Sequence, residues 1–398
     1  MKIVLSSRGS RGDVYPIIEV AAALQQKGHQ VTLCVPKLFE KYAKSRKLTP
    51  VLYDEDAQLV MHKMGSGWQA TRQALSWFAG DIEEQFDVLL EATRQADVLV
   101  TSANEPAAPS VSEHRNIPFY RIAYCPIIPG SQPPPLLPWQ NLPAIVNRFM
   151  WRLLNATIGL VIGRPLDRRR RSLGLKPVGE ISEYFAGQSH TILAISELLA
   201  PPSSDWMHPF SYVGYCHSPN HEPLDDELID FIEAGPKPVY LGFGSVSVKD
   251  PAKFTRLVLK AVKLAGCRVI LGSGWTGLGQ HELPDNVCQI SETSHTALFP
   301  LMAAVAHHGG SGTTHTAVRA GVPQFIMPQI ADQFFWGQRI SDLGLGLAPV
   351  APTRLTAQAL ASSLRILANN TSFARRAREM SAKVLKEDGI SRAVDIIT

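Results

Sequence analysis

"HHGGSGTTHTAVRAGVP", residues 307–323, follows an apolar run and leads into a stretch with helical spacing. Gly309, Gly310 and Gly312 let the backbone turn tightly and approach a ligand with no Cβ in the way. Free N–H groups at the start of the following helix, together with its dipole, favour an anion. Ser311, Thr313 and Thr314 add hydroxyl donors, and His307 and His308 add ring N–H donors. The set suits a diphosphate. Taken singly, each histidine or glycine reads equally well as a core or turn residue. The spacing is neither G-x-x-x-x-G-K-[ST] nor G-x-G-x-x-G, which disfavours a Walker-type ATPase and a dinucleotide fingerprint in this half.

The same unit, a short apolar run ending in a glycine loop before a helix, recurs along the chain. It opens the sequence at "KIVLSSRGSRGDVYP" (2–16) and returns at "PVYLGFGS" (238–245) and "CRVILGSG" (267–274). Pro16 is expected to open the first helix, since proline suits a first helical position. A second strand, "QVTLCVP" (30–36), then completes a βαβ start and makes a parallel sheet the expectation. A chain of 398 residues exceeds one ordinary core, so two domains of roughly 200 residues each are expected. The expected division is an acceptor-side domain over 1–215, a polar link over 216–237, a second α/β domain over 238–380, and a final helix over 381–398 packing back on the first domain.

Bulk properties narrow the class. Hydrophobic content of 45% and charged content of 19% fit a soluble globular protein. A net charge of +4 is small for this length and argues against bulk nucleic-acid binding. The five cysteines are dispersed with no CxxC pair, which favours reduced thiols and a cytoplasmic setting. Cys34, Cys267 and Cys288 sit in apolar runs and are expected to pack in the core. The N-terminus lacks the apolar run of a signal peptide, and no uninterrupted apolar stretch nears the ~20 residues of a membrane span.

Further candidate site residues lie beyond strand ends. Asp332 and Gln333 follow "PQFIMP" (323–328), at the carboxyl end of a strand where α/β sheets bind ligands. An acid beside an amide suits sugar hydroxyls; the plainer reading is a helix N-cap. Ser245 and Trp275 occupy two more glycine loops, the Trp suited either to cover a nucleotide or to pack an interface. Residues 126–160 are rich in Pro and large apolar side chains, among them Trp139, Phe149 and Trp151. These suit a large apolar acceptor pocket, or core packing. Arg168–Arg171 suit anionic lipid headgroups at a membrane surface, or a solvated helix face.

Four stretches together resemble family 1 glycosyltransferases: "GSRGDVYP" (9–16), "GFGSV" (242–246), "GSGWTGLG" (272–279) and "HHGGSGTTHTAVRAGVPQFIMPQIADQFFWGQR" (307–339). The likeness is strongest to sterol 3-β-glucosyltransferases and bacterial antibiotic glycosyltransferases. It implies an α/β GT-B fold, two Rossmann-like doubly wound domains with a cleft between them. It implies further that Ser245, His308, Gly310, Ser311, Gly312 and Thr313 hold the diphosphate of a nucleotide sugar. Asp332 and Gln333 would bind the sugar. Trp275 and the loop near His295 would border the base, and Ser10 and Arg11 would reach the donor across the cleft. Two positions depart from plant relatives: Thr316 stands where they carry a ribose-binding glutamate, and no histidine lies between Arg8 and Pro16. The base role therefore falls to Asp13, as in the sterol and antibiotic branches.

The resulting expectation is inverting transfer of a hexose from a nucleotide-diphosphate sugar, by default UDP-glucose, to a hydroxyl of an apolar acceptor. No paired-Asp metal motif appears, so no metal and no cofactor beyond the co-substrate are expected. Peripheral membrane contact is an open option. The alternatives are a TDP-deoxysugar-dependent enzyme, a GT-B-fold sugar-nucleotide epimerase, and a non-catalytic nucleotide-sugar-binding protein. The 126–160 insert argues against the epimerase, and Asp13 with Asp332 argues against the non-catalytic reading. For Asp13 itself the plainer reading is a helix-capping acid.

Overall fold

The computed structural model describes residues 1–53, 81–186, 189–218, 223–242, 251–272, 283–291 and 293–398. The first half runs β1 (Lys2–Ser6), α1 (Arg11–Gln26), β2 (Gln30–Pro36), α2 (Glu40–Ser45), β3 (Pro50–Tyr53), α3 (Ile82–Ala92), β4 (Val98–Ser102), α4 (Ala108–Arg115), β5 (Phe119–Ala123), α5 (Ala144–Ser172), α6 (Ile181–Ala186), β6 (Ser189–Leu193) and β7 (Phe210–Tyr212). The second half runs α7 (Asp226–Glu233), β8 (Val239–Gly242), α8 (Pro251–Ala265), β9 (Val269–Gly272), β10 (Val287–Ile290), α9 (His295–Leu298), β11 (Ala304–His307), α10 (Ser311–Arg319), β12 (Gln324–Ile326), α11 (Gln333–Asp342) and β13 (Gly346–Leu347). Helices α12 (Ala357–Asn369), α13 (Thr371–Val384) and α14 (Gly389–Ile397) close the chain.

Each half is a parallel sheet, ordered β3-β2-β1-β4-β5-β6-β7 and β10-β9-β8-β11-β12-β13. The central strands are short and almost wholly apolar, as strands covered on both faces must be. In both sheets the order reverses once, between β1 and β4 in the first and between β8 and β11 in the second. Crevices beyond the carboxyl ends of strands at such reversals are where α/β sheets take ligands. The loops carrying Asp13 and His308 leave from these points.

Helix α1 begins at Arg11 rather than at Pro16, which lies inside it. Ser10 and Asp13 form a capping box there, and this local pairing outweighs the proline's preference for a first position. The proline lacks the N–H that would bond the Gly12 carbonyl, but Gly12 is exposed, so water can serve that group. Val14, Ile17, Ile18, Ala21 and Leu24 form the helix's buried stripe against the first sheet. In the 216–237 link, α7 is part of the second half's packing: Leu228 and Ile232 join Tyr240 and Ile270 in one cluster. All five cysteines are free; Cys34 is buried, while Cys267 and Cys288 are only half-buried.

Two contacts bind the halves. Helix α14 returns to the first domain and packs on α1, with Ala393, Val394 and Ile397 inside that core. A separate apolar cluster bridges the domains, bringing Ala123, Leu193 and Ile195 against Val318, Phe335, Trp336 and Ile340. Polar contacts ring it: the Ser196 N–H donates to His315 Nε2 at 3.2 Å, and Arg339 Nε donates to the Leu199 carbonyl at 2.7 Å. The Ser196 hydroxyl donates to Glu387 at 2.7 Å. If α14 is integral to the first core, Ile397→Ala should cost about 2–5 kcal/mol in chemical denaturation. A loss below about 0.5 kcal/mol would mean that the helix merely lies on the surface.

Candidate functional site

The loop after β1 turns at Gly9, whose φ of +112° suits glycine alone. A Cβ there would stand 2.7 Å from Asp13 Oδ2. Asp13 Oδ2 accepts the Ser10 N–H at 2.9 Å and the Ser10 hydroxyl at 3.0 Å. Its Oδ1 accepts Asn104 Nδ2 at 3.1 Å, from the loop after β4. The carboxylate is thus held on both oxygens. Burial pushes its pKa above the ordinary value, against the lowering effect of those three donors. The helix-capping reading of Asp13 is therefore correct as geometry. Capping and Asn104 together also fix the rotamer of the carboxylate. Ser10 spends its hydroxyl proton on Asp13, so toward a ligand it can only accept.

In the second domain, α10 starts at Ser311 behind Gly310, a glycine N-cap that has no side chain to cap the first turn. Its first intrahelical bond is from the Thr314 N–H to the Gly310 carbonyl. The N–H groups of Ser311, Gly312 and Thr313 precede that bond and form the open end. Gly309 has φ +95°, and a Cβ there would lie 2.6 Å from Ile326. His308 leans over Gly310, its Nε2 2.5 Å from where a Cβ would be, and its buried Nδ1 has no hydrogen-bond partner among the described residues. Burial and the nearby His295 press the His308 pKa down to about 4, so the ring is neutral at neutral pH. The arrangement is a ring of neutral donors around an uncapped helix start, which is chemistry for an anion.

His307 does not join that ring. It is fully buried, accepts the Gly309 N–H on Nδ1 at 3.1 Å and so donates from Nε2 to Gln324 Oε1 at 2.8 Å. Its work is to shape the Gly309 turn. Thr316 turns its hydroxyl back to the Gly312 carbonyl at 2.8 Å. At Gly312 a Cβ would stand 2.6 Å from the Tyr215 hydroxyl, so a side chain there would have to displace it.

Asp332 precedes α11, but its side chain makes no capping bond. Its Oδ2 instead accepts the Trp336 indole N–H at 3.1 Å. Burial, then the negative charge of Asp13, pushes the Asp332 pKa up to about 7. The two carboxylates therefore sense each other across the cleft. Gln333 uses Oε1 to accept the N–H groups of Gln329 and Ile330 at 2.8 and 3.2 Å, leaving its NH₂ as a donor.

His295 stacks on Phe299, with centroids 4.6 Å apart, and shares a 3.1 Å hydrogen bond with the Tyr240 hydroxyl. Burial and the positive charge of Arg11 lower its pKa to about 4, so the start of α1 faces α9. Charge effects thus link Asp13 with Asp332, Arg11 with His295 and His295 with His308, while Ser10 holds Asp13, Gly310–Thr313 follow His308 in the chain and Gln333 follows Asp332. Ser245 and Trp275 lie outside the described residues. The three aromatics of the expected acceptor region do not form one wall. Trp151 is buried with its indole N–H given to the Gln132 carbonyl at 3.0 Å, while Trp139 and Phe149 are exposed. Of the four arginines, Arg169 and Arg170 turn toward acids of their own domain, Asp87 and Glu113, rather than outward.

Asn104, Tyr240 and His315 are missed by the sequence reading. Asn104 alone left a signal, since it directly follows a strand at its carboxyl end.

Between its ordinary value of 3.8 and about 7, folded Asp332 keeps a proton that the unfolded chain releases. Its contribution to stability is full below that window and is lost as pH rises through about 7. Relative to Asp332→Asn, the ligand-free wild type should therefore lose melting temperature between about pH 5 and about pH 8; the buried histidines, whose lowered pKa values act in the opposite sense, are common to both proteins and cancel in the comparison. Equal slopes in the two proteins would place the proton elsewhere.

Comparison with known proteins agrees with this geometry. Residues 3–129 match the glycosyltransferase family 28 N-terminal domain, and residues 261–393 match the erythromycin biosynthesis protein CIII-like C-terminal domain. The chain is 33% identical to glycosyltransferase GtfE of Amycolatopsis orientalis, covering 100% of this chain and 97% of that protein. It is 32% identical to sterol 3-beta-glucosyltransferase UGT80B1 of Arabidopsis thaliana, over 99% of this chain and 67% of that one. In fold it is similar to the glycosyltransferase of kitacinnamycin, at a TM-score of 0.78 and 18% identity over 100% and 98% of the two chains. With its two facing parallel α/β domains, the chain belongs to the GT-B glycosyltransferases of the sterol and antibiotic type.

Proposed function

We propose that this enzyme moves a hexose, with inversion and without a metal, from a nucleotide-diphosphate sugar to a hydroxyl of an apolar acceptor. One observation carries the reading: the fixed Asp13 carboxylate is near enough to act by its charge on Asp332 and on Tyr215, whose hydroxyl meets Gly312 at the start of α10. A base on one side and an anion cradle on the other suit direct displacement. The acceptor oxygen forms a bond to the anomeric carbon as its proton passes to Asp13. The bond from that carbon to the diphosphate breaks, and its electron pair leaves with the diphosphate. The N–H groups of Ser311, Gly312 and Thr313, with His308, would stabilise the growing charge. Asp332 and the Gln333 amide are suited to hold sugar hydroxyls, the first as acceptor or donor according to its proton.

Glucose is the favoured sugar because relatives include a vancomycin aglycone glucosyltransferase and sterol 3-beta-glucosyltransferases; UDP is the favoured carrier. A second reading, a TDP-sugar donor, is supported by structural neighbours determined with DTDP or thymidine diphosphate.

Asp13→Asn keeps an oxygen for the Ser10 N–H but loses the base. Turnover should fall about 10²-fold or more, with donor-induced thermal shift nearly unchanged. Wild-type turnover would remove Asp13 from the chemistry. A donor panel should give turnover with UDP-glucose that survives strong chelation. Loss on chelation with recovery on adding Mg²⁺ would overturn the metal-free reading, and turnover with TDP-sugars alone would decide for the second donor.

A further inference from the structure

Helix α5 is an outlier in the first domain. It is 29 residues long, with few of its residues buried. Trp151, Ile162 and Leu166 hold one face to the domain. The opposite face carries large apolar side chains in the open: Ile145, Phe149, Leu153 and Leu160, which are 77%, 62%, 50% and 82% exposed. Steps of four, four and seven residues put them in one stripe along the helix. Trp139 and Leu136, on the segment leading to α5, are exposed as well.

The same face turns basic beyond Leu160, with Arg164, Arg168 and Arg171 following one and two turns on and at the end. Arg152 flanks the apolar stripe. The helix holds seven arginines against one aspartate, in a chain whose whole net charge is +4. Arg148 and Arg169 are paired with Asp205 and Asp87, Arg170 with Glu113, and the exposed Arg168 lies 3.9 Å from Glu83. Among the described residues, Arg152, Arg164 and Arg171 have no carboxylate partner.

We infer that the exposed face of α5 docks this enzyme on an anionic lipid bilayer, lying in the plane of the interface. The apolar stripe from Ile145 to Leu160 enters the headgroup–acyl boundary, and the arginines beyond it meet lipid phosphates. By length and composition α5 is apolar enough to cross a membrane, but a helix whose other face is fixed to the domain core lies on the bilayer rather than through it. Charge decides between occupants. Two copies meeting through this face would bring their unpaired arginines together with almost no acid to offset them. An anionic surface supplies the missing charge along the whole stripe. The inference does not depend on which donor or acceptor the enzyme uses.

The test is flotation of the full chain with vesicles of phosphatidylcholine alone or enriched in phosphatidylglycerol. Binding should need the anionic lipid and weaken with salt. Leu153→Glu/Leu160→Glu and Arg152→Glu/Arg164→Glu should each lower it by at least about ten-fold, since each basic residue near the surface counts for roughly five-fold. Circular dichroism and melting temperature report whether the variants fold. Where glutamate unfolds the chain, Leu160→Ser and Arg164→Gln carry the same test with smaller losses. No binding of the wild type to anionic vesicles overturns the inference. So does binding that survives both double substitutions within about two-fold, or self-association that Leu160→Ser abolishes while vesicle binding is absent.

Discussion

The placement of the site hangs on Trp336. Its indole is fully buried in the apolar cluster shared by both domains, where truncation of a residue of this size costs about 3–5 kcal/mol. From there its N–H holds Asp332. The ring also meets the edge of His315, with centroids 4.8 Å apart. His315 accepts the Ser196 N–H on Nε2, so its proton sits on Nδ1 and goes to the Ser311 carbonyl at 2.8 Å. One packed indole therefore ties the starts of α10 and α11 to the first domain. The start of α10 and Asp332 are thereby held to the same frame.

That frame explains the unusual state of the acids. Asp13 and Asp332 come from different sheets, each at or beside a helix start, and each is partly withdrawn from water. Two like charges converging on one cleft would repel. The raised affinity of Asp332 for a proton relieves this in the empty enzyme. A sugar whose hydroxyls donate to Asp332 would relieve it differently, by supplying hydrogen bonds to the charged form.

Much of this was legible because it is local. An apolar run, a glycine loop and a following helix are contiguous in sequence, so both switch-point loops and the α/β class could be read from short windows. The start of α1 was misread by the same local logic, since the Ser10–Asp13 box is a stronger signal than Pro16. What escaped was long-range. Asn104 finds Asp13 from 91 residues away, and His315 finds Ser196 from 119. No spacing rule links such residues; only the register of the sheets and the docking of the domains does. The face of α5 escaped for another reason. Its apolar residues looked like pocket or core material, and only exposure in the folded chain separates those from an outward stripe.

Tyr240 carries a consequence for how this enzyme can change. Its hydroxyl lies too near the place of a Cβ on either Gly242 or Gly272 for a side chain to start there unless the ring shifts, and it also meets His295. The glycines that end β8 and β9 are therefore bound to the tyrosine between them. A larger residue at either position becomes tolerable only after the Tyr240 ring has gone, and losing that ring takes the His295 partner with it. Drift at these three positions must run in order, which makes the floor of the second domain resistant to single-step change.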